Sequence, residues 1–311
     1  MILLVGIPSE PPLAMVGEQL QNRQIPFEFV NQRDVANYSI ALEFTSSGVN
    51  GVMTLGEKEI PLASVTGVYD RATDPTTIPE IGSLNTSDPV AMRALRFQYL
   101  LSTYLQISSA RVVNRLRPMG TNASKPYQAQ LIQKFFHVPE TLVTNNPVVA
   151  RDFIKEFEVI YKSVSGERSI VMDVVDEDLE RLEELESCPV QFQRKIKGFD
   201  CRVHVVGSKI HACSIETDAL DYRYAQKKGH KTPKLNAIQL PSEWEEACRG
   251  LTQALGLEFA GIDFVIDADG IPWCLEVNTC PAYSYFEVET GQPIAASLAY
   301  HLAGIADVGE Y

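Results

Sequence analysis

Short apolar runs and polar breaks alternate over the first third of the chain. Ile2–Gly6 reads as a strand, residues 13–23 as a helix and Phe27–Asn31 as a second strand. Residues 49–55 and 58–61 flank a turn centred on Gly56 and predict a hairpin. Residues 65–70 predict another strand, followed by a loop rich in Thr, Pro and Asp over 71–89. Asp88 opens a helix through about residue 107, with Met92, Leu95, Tyr99, Leu100 and Leu105 as its apolar positions. Residues 112–114 form a brief strand, and Arg117-Pro118-Met119-Gly120 marks a boundary. Ser124 caps a helix over 125–137, with Pro126 in its first turn. Residues 139–144, a helix after Asn146 and residues 158–164 complete a small unit. The charged helix at 176–186 reads as a solvated face.

From Val190 onward strands dominate. Residues 199–206 and 209–215 are joined by Gly207-Ser208, a two-residue hairpin signal. The polar stretch 217–236, with Arg223, Lys227, Lys228, Lys231 and Lys234, reads as a mobile basic loop. A helix over 241–255, a second hairpin of Phe259–Asp267 with 271–278, and a closing segment over 292–303 complete the pattern.

The second hairpin carries the strongest chemistry. With Asp269-Gly270 as its loop, Ala268 pairs with Ile271 and Asp263 falls opposite Glu276. The same register pairs Ile262 with Val277, Phe264 with Leu275 and Ile266 with Trp273, an apolar face. The other face carries Asp263, Glu276 and Asn278. Opposed carboxylates repel unless a positive charge sits between them, and oxygen donors of this kind suit a hard cation such as Mg²⁺. The alternative is a solvated polar face.

In the first hairpin Val206 pairs with Lys209 and His204 with His211. Asp200, Arg202, His204 and His211 then share one face, with Val203, Val205, Ile210 and Ala212 on the other. Arg202 could serve a phosphate or an oxyanion, or simply an exposed cross-strand ion pair. Lys162 ends a strand beside a small-residue loop and could reach phosphates, as could Lys125 at a helix start; surface lysines are the plainer reading of both.

Composition narrows the partners. The 311 residues include 27 Lys+Arg against 40 Asp+Glu, a formal charge of −13 that argues against nucleic acid. No apolar run is long enough to cross a membrane, and the amino terminus has no signal-peptide pattern, so a cytoplasmic protein is expected. The six cysteines contain no C-x-x-C pair and read as reduced, buried hydrophobes.

Taken in order, these pieces resemble the ATP-grasp superfamily of carboxylate–amine ligases over residues 112–303. Ala260-Gly-Ile-Asp-Phe-Val-Ile and Cys274-Leu-Glu-Val-Asn278 are similar to its metal-binding strands. The stretch 190–207 is similar to the adenine hinge of the branch holding ribosomal-protein glutamate ligases. Asp221-Tyr-Arg223 and residues 289–299 resemble the graspetide (microviridin-type) peptide macrocyclases, and Tyr69-Asp-Arg71 is reminiscent of their first domain. Arg194 stands where the family usually has a hinge Glu, and residues 279–286 lack a Gly-Gln-Trp pattern.

The resemblance implies an α/β protein with the ATP-grasp fold. A smaller α/β amino-terminal domain (1–110) would precede a central subdomain (111–189) and a carboxy-terminal subdomain (190–311), with the nucleotide between two α+β subdomains. It implies two Mg²⁺ ions, or Mn²⁺, on Asp263, Glu276 and Asn278. ATP would be held by Lys125, Lys162, Gln193, Lys195, Ile196 and Asp200, with the backbone of Lys195 and Ile196 on adenine. Arg202 would stabilise the transferring phosphoryl group; Arg223, oriented by Asp221, would bind the substrate carboxylate. The implied reaction passes through an acyl phosphate to an amide or ester, on a peptide or a small carboxylate with an amine or hydroxyl acceptor. Ligation of free amino acids and a nucleotide-binding pseudoenzyme are the alternatives. The oligomeric state is open, a homodimer included.

Overall fold

The computed structural model describes residues 1–46, 48–164, 171–217 and 231–306. β1 (Ile2–Gly6), buried along its whole length, leads into α1 (Pro11–Asn22), and β2 (Phe27–Asn31) returns parallel to it. β3 (Tyr38–Thr45), β4 (Gly48–Leu55) and β5 (Lys58–Pro61) form a separate antiparallel sheet. The β4–β5 hairpin is the one the Gly56 turn predicts, with φ +63° at Gly56. β3 escapes the sequence reading; Tyr38, Ile40 and Leu42 alternate as a strand requires, but no Gly or Pro announces its start. β6 (Gly67–Asp70) flanks β1 on the side away from β2, and β7 (Arg111–Val113) completes a parallel sheet in the order β2-β1-β6-β7.

α2 (Pro89–Ile107) starts where Asp88 accepts the Val90 N–H at 2.7 Å. Its buried seam is Ala91, Ala94, Phe97, Leu101, Tyr104 and Leu105, whereas Tyr99 is 72% exposed, so the expected apolar face is rotated. α3 (Lys125–Ile132) is shorter than expected, and Ser124 makes no side-chain cap.

β8 (Thr141–Thr144), β9 (Val159–Ser163), β10 (Met172–Asp173) and β11 (Val190–Arg194) form an antiparallel sheet, order β10-β9-β11-β8. α4 (Pro147–Glu156) between β8 and β9 is capped by Asn146, whose amide oxygen accepts from Val148 and Val149. The charged segment after β10 breaks into two short helical turns that bury Leu182 and Leu185, so it is not wholly solvated.

The largest sheet holds β12 (Gly198–Val206), β13 (Lys209–Glu216), β14 (Lys234–Ile238), β15 (Phe259–Asp267) and β16 (Pro272–Asn278), order β14-β13-β12-β15-β16. β14 begins inside the stretch expected to be a loop. It pairs with β13 from Glu216↔Lys234 to Ala212↔Ile238. α5 (Ser242–Ala254) precedes β15; α6 (Ser284–Thr290) and α7 (Ile294–Ala303) follow β16.

Both faces of this sheet are covered. Val203, Val205, Ala260 and Ile262 pack with Ile132, Cys248 and Leu251 from α3 and α5. On the other side Val206, Cys213 and Phe259 join Phe286, Leu298, Leu302, Leu4 and Leu13 in a core shared with the parallel sheet. All six cysteines are free thiols; Cys188 is exposed and Cys280 half-buried, which corrects the expectation for those two.

Candidate functional site

The β15–β16 hairpin places Asp263 opposite Glu276 and Ile262 opposite Val277, as the sequence predicts. Nearer the turn the register departs from it. Phe264 pairs with Cys274, Val265 with Trp273 and Ile266 with Pro272, which leaves Leu275 as a bulge. The cause is the turn. Three residues, Ala268 to Gly270, span it, with Gly270 at φ +78° and the Asp267 carboxylate accepting from the N–H groups of Asp269 and Ile271 and from Trp273 Nε1. The bulge absorbs the extra loop residue and returns Asp263 and Glu276 to register.

Arg202 of β12 pairs with Asp263, so Arg202, Asp263 and Glu276 form one row across three strands. His204, Gly261 and Asn278 form the next. Arg202 is 4% exposed; its Nη1 donates to Asp263 Oδ2 at 2.6 Å, and its guanidinium lies 5.5 Å from the centre of the Phe286 ring. This face is therefore not an exposed ion-pair surface, because α6 and α7 cover it. His211 Nε2 meets Ser297 Oγ at 3.0 Å, and His204 lies against Phe259 and Phe286. Burial first, then Arg202 and His211, pushes His204 well below its ordinary pKa, so the imidazole is neutral and its Nε2 accepts from Arg202 Nε at 3.4 Å. Gly261 makes room for this arrangement: a Cβ there would stand 2.1 Å from Arg202 Nη2.

β16 is an edge strand, and a side chain completes its ladder. The Gln128 amide on α3 donates to Val277 O at 2.8 Å and accepts from Val277 N at 2.9 Å, gripping the backbone between Glu276 and Asn278. Gln128 stands one turn after Lys125, so α3 ties that lysine to the acidic strand.

On the second sheet Lys162 of β9 lies across from Gln191 of β11, and both are buried, as is Gln193. Gln193 Nε2 donates to Thr141 Oγ1 at 3.0 Å, while Gln191 Oε1 has no hydrogen-bond partner among the described residues. Phe192 and Val159 point the other way, into their own core. The Gln–Phe–Gln alternation is the signal that could have found Gln191. Residues 195–197 connect this sheet to β12. Lys195 Nζ meets Asp173 at 2.6 Å, the Lys195 N–H donates to Glu158 O, and Ile196 is half-buried. Arg194 has its guanidinium near Phe157 and Trp273, 5.8 and 5.6 Å from the ring centres. Asp200 is half-buried on β12 beyond Arg202. Asp221 and Arg223 lie outside the described residues.

No group of three or more His, Cys, Asp or Glu among the described residues could hold a metal ion. The row fits a hard cation in another way. Asp263, Glu276 and Asn278 supply oxygen donors only, and Arg202 sets one positive charge against two carboxylates, leaving a negative balance.

Comparison with known proteins places these residues in a family. The model of the RimK-like ATP-grasp domain matches residues 123–302. A probable alpha-L-glutamate ligase of Parasynechococcus marenigrum (strain WH8102) is 26% identical over 197 residues, 59% of this chain but only 41% of that protein's length. Among solved structures, the macrocyclase MdnC of Microcystis aeruginosa MRC, bound with precursor peptide MdnA, superposes with TM-score 0.80 at 21% identity, covering 98% of this chain and 99% of that one. The ATP-grasp ligase PsnB, complexed with minimal precursor, Mg and ADP, gives 0.78 at 26% identity, covering 97% and 96%. The fold is the ATP-grasp fold, and the chain belongs to the RimK-like ATP-grasp domain family.

Proposed function

We propose that the chain is an ATP-dependent ligase that joins a carboxylate to an amine or hydroxyl on a peptide. The observation that carries this reading is the row Arg202–Asp263–Glu276 with Asn278 beside it, on the sheet that the chain enters directly after β11, the strand holding Gln191 of the buried Lys162–Gln191 pair. The likeness to PsnB, solved in complex with a minimal precursor, Mg and ADP, supports both the cofactor and the peptide class. The division into 1–110, 111–189 and 190–311 belongs to the same proposal; a hydrophobic cluster over residues 142–192 supports a separate central unit, with β11 on its side of the last boundary.

In this reading Asp263, Glu276 and Asn278 hold two Mg²⁺ ions, or Mn²⁺. When bound there, the cation would supply positive charge against the polyphosphate. Lys125 and Lys162 bind phosphates; Gln193, Lys195, Ile196 and Asp200 line the base and ribose. Arg202, fixed between Asp263 and Phe286, presents a charge that cannot titrate to the transferring γ-phosphoryl group. The substrate carboxylate takes that group, ADP leaves, and the acceptor amine or hydroxyl then displaces phosphate to give the amide or ester. Arg223, oriented by Asp221, would bind the substrate carboxylate.

Glu276→Gln is expected to abolish ADP formation in the presence of peptide while leaving the unfolding midpoint within a degree or two. Release of ADP at the unchanged rate would remove the metal assignment. Replacing the peptide by free amino acids is expected to stop turnover.

A further inference from the structure

The parallel sheet brings two distant residues together. β2 lies on one side of β1 and β6 on the other, so the chain leaving β1 and the chain leaving β6 diverge at adjacent strand ends. Glu10 stands just before α1 and Arg71 just after β6. Glu10 Oε1 and Oε2 accept from Arg71 Nε at 3.0 Å each, and Oε1 accepts from Nη2 at 2.5 Å. The Arg71 side chain is only 7% exposed. Its remaining arm reaches across to the segment after β16: Nη1 donates to Pro281 O at 3.2 Å and lies 3.4 Å from Cys280 Sγ.

That segment also touches Asn278. The Cys280 N–H donates to Asn278 Oδ1 at 2.9 Å and thereby aims the amide. The oxygen keeps a second lone pair for a cation. A second link runs in parallel, from Tyr283 OH to Pro12 O at 2.7 Å. Glu10 cancels the guanidinium charge, so the link brings no net positive charge toward a site for cations.

We propose that Glu10 and Arg71 are positioning residues for the cation site, acting through Cys280 on Asn278 and coupling the parallel sheet to the metal row. This rests on reading Asp263, Glu276 and Asn278 as metal ligands. Partners of a metal ligand commonly govern affinity by about 10–100-fold.

The test is Mn²⁺ binding to the full chain with the non-hydrolysable analogue AMPPNP, followed by electron paramagnetic resonance. Arg71→Met is expected to raise the Mn²⁺ dissociation constant about tenfold, and Glu10→Gln to raise it by less. In an Asn278→Ala background, Arg71→Met is expected to add less than about twofold, because the two changes remove one interaction. Asn278→Ala weakening Mn²⁺ while Arg71→Met does not, or the two effects multiplying in full, overturns the coupling and leaves the metal site standing. Unchanged Mn²⁺ affinity in Asn278→Ala alone overturns the metal site and the coupling with it. If Arg71→Met does not fold, Glu10→Gln and its Asn278→Ala double variant carry the same comparison.

Discussion

His204 is boxed in by two aromatic rings and a guanidinium, and a proton added to it would meet Arg202 with no water to screen the charge. Burial and the Arg202 charge therefore hold its folded pKa well below the 6.5 of an unfolded chain. The sign follows from proton counting. Below pH 6.5 the unfolded chain binds a proton at this position and the folded chain does not, so stability present above 6.5 declines as pH falls. One such group gives a slope of at most about 1.4 kcal/mol per pH unit. Urea unfolding at pH 7.5, 6.5 and 5.5 is expected to show this slope, flattened in His204→Gln. An identical slope in the variant would mean that His204 protonates as readily folded as unfolded.

Elements were legible where one local signal decided them. The Gly207-Ser208 turn fixed the β12–β13 register, and Val206↔Lys209 with His204↔His211 is what it dictates. The Asp263–Glu276 pairing survived a wrong turn length, because the bulge at Leu275 compensated for it. What the sequence did not disclose depends on tertiary partners. Gln128 reads as an ordinary helix residue until an edge strand lies beside it, and Gly261 reads as a strand glycine until Arg202 needs the space. α2 shows the limit most clearly. Apolar residues cover more than one of its faces, and the β3 strand and the turn at Val35–Asn37 select which is buried. Phe97, 3% exposed, is therefore expected to cost about 3–5 kcal/mol on truncation to Ala, whereas Tyr99→Ala is expected to stay within about 0.5 kcal/mol. Equal losses in chemical denaturation would return the buried seam to the Tyr99 face.

At the scale of the molecule, the proposed groups for one ligand sit on two sheets. Lys162 and Gln193 belong to the sheet of β8–β11, Asp263 and Glu276 to the sheet of β12–β16, and three residues, 195–197, join them. In the proposed reading, a nucleotide polyphosphate with its cation draws on both halves. The unfolded chain, with these groups dispersed, has no site, so the ligand stabilises the native state by RT ln(1 + [L]/Kd), about 2.7 kcal/mol at a hundredfold excess over Kd. The overall charge of −13 bears on the same point: it repels a polyanion at long range, and the two carboxylates opposite each other repel it at short range. Nucleotide without divalent cation is thus expected to raise the unfolding midpoint little, and nucleotide with Mg²⁺ to raise it by several degrees. Adding EDTA should reverse the gain. Lys162→Met is expected to lose much of it through the first sheet, and Glu276→Gln through the second. A full shift in EDTA, or in the Glu276→Gln protein, would mean that the second sheet contributes nothing to nucleotide binding and that the cation does not bridge the two.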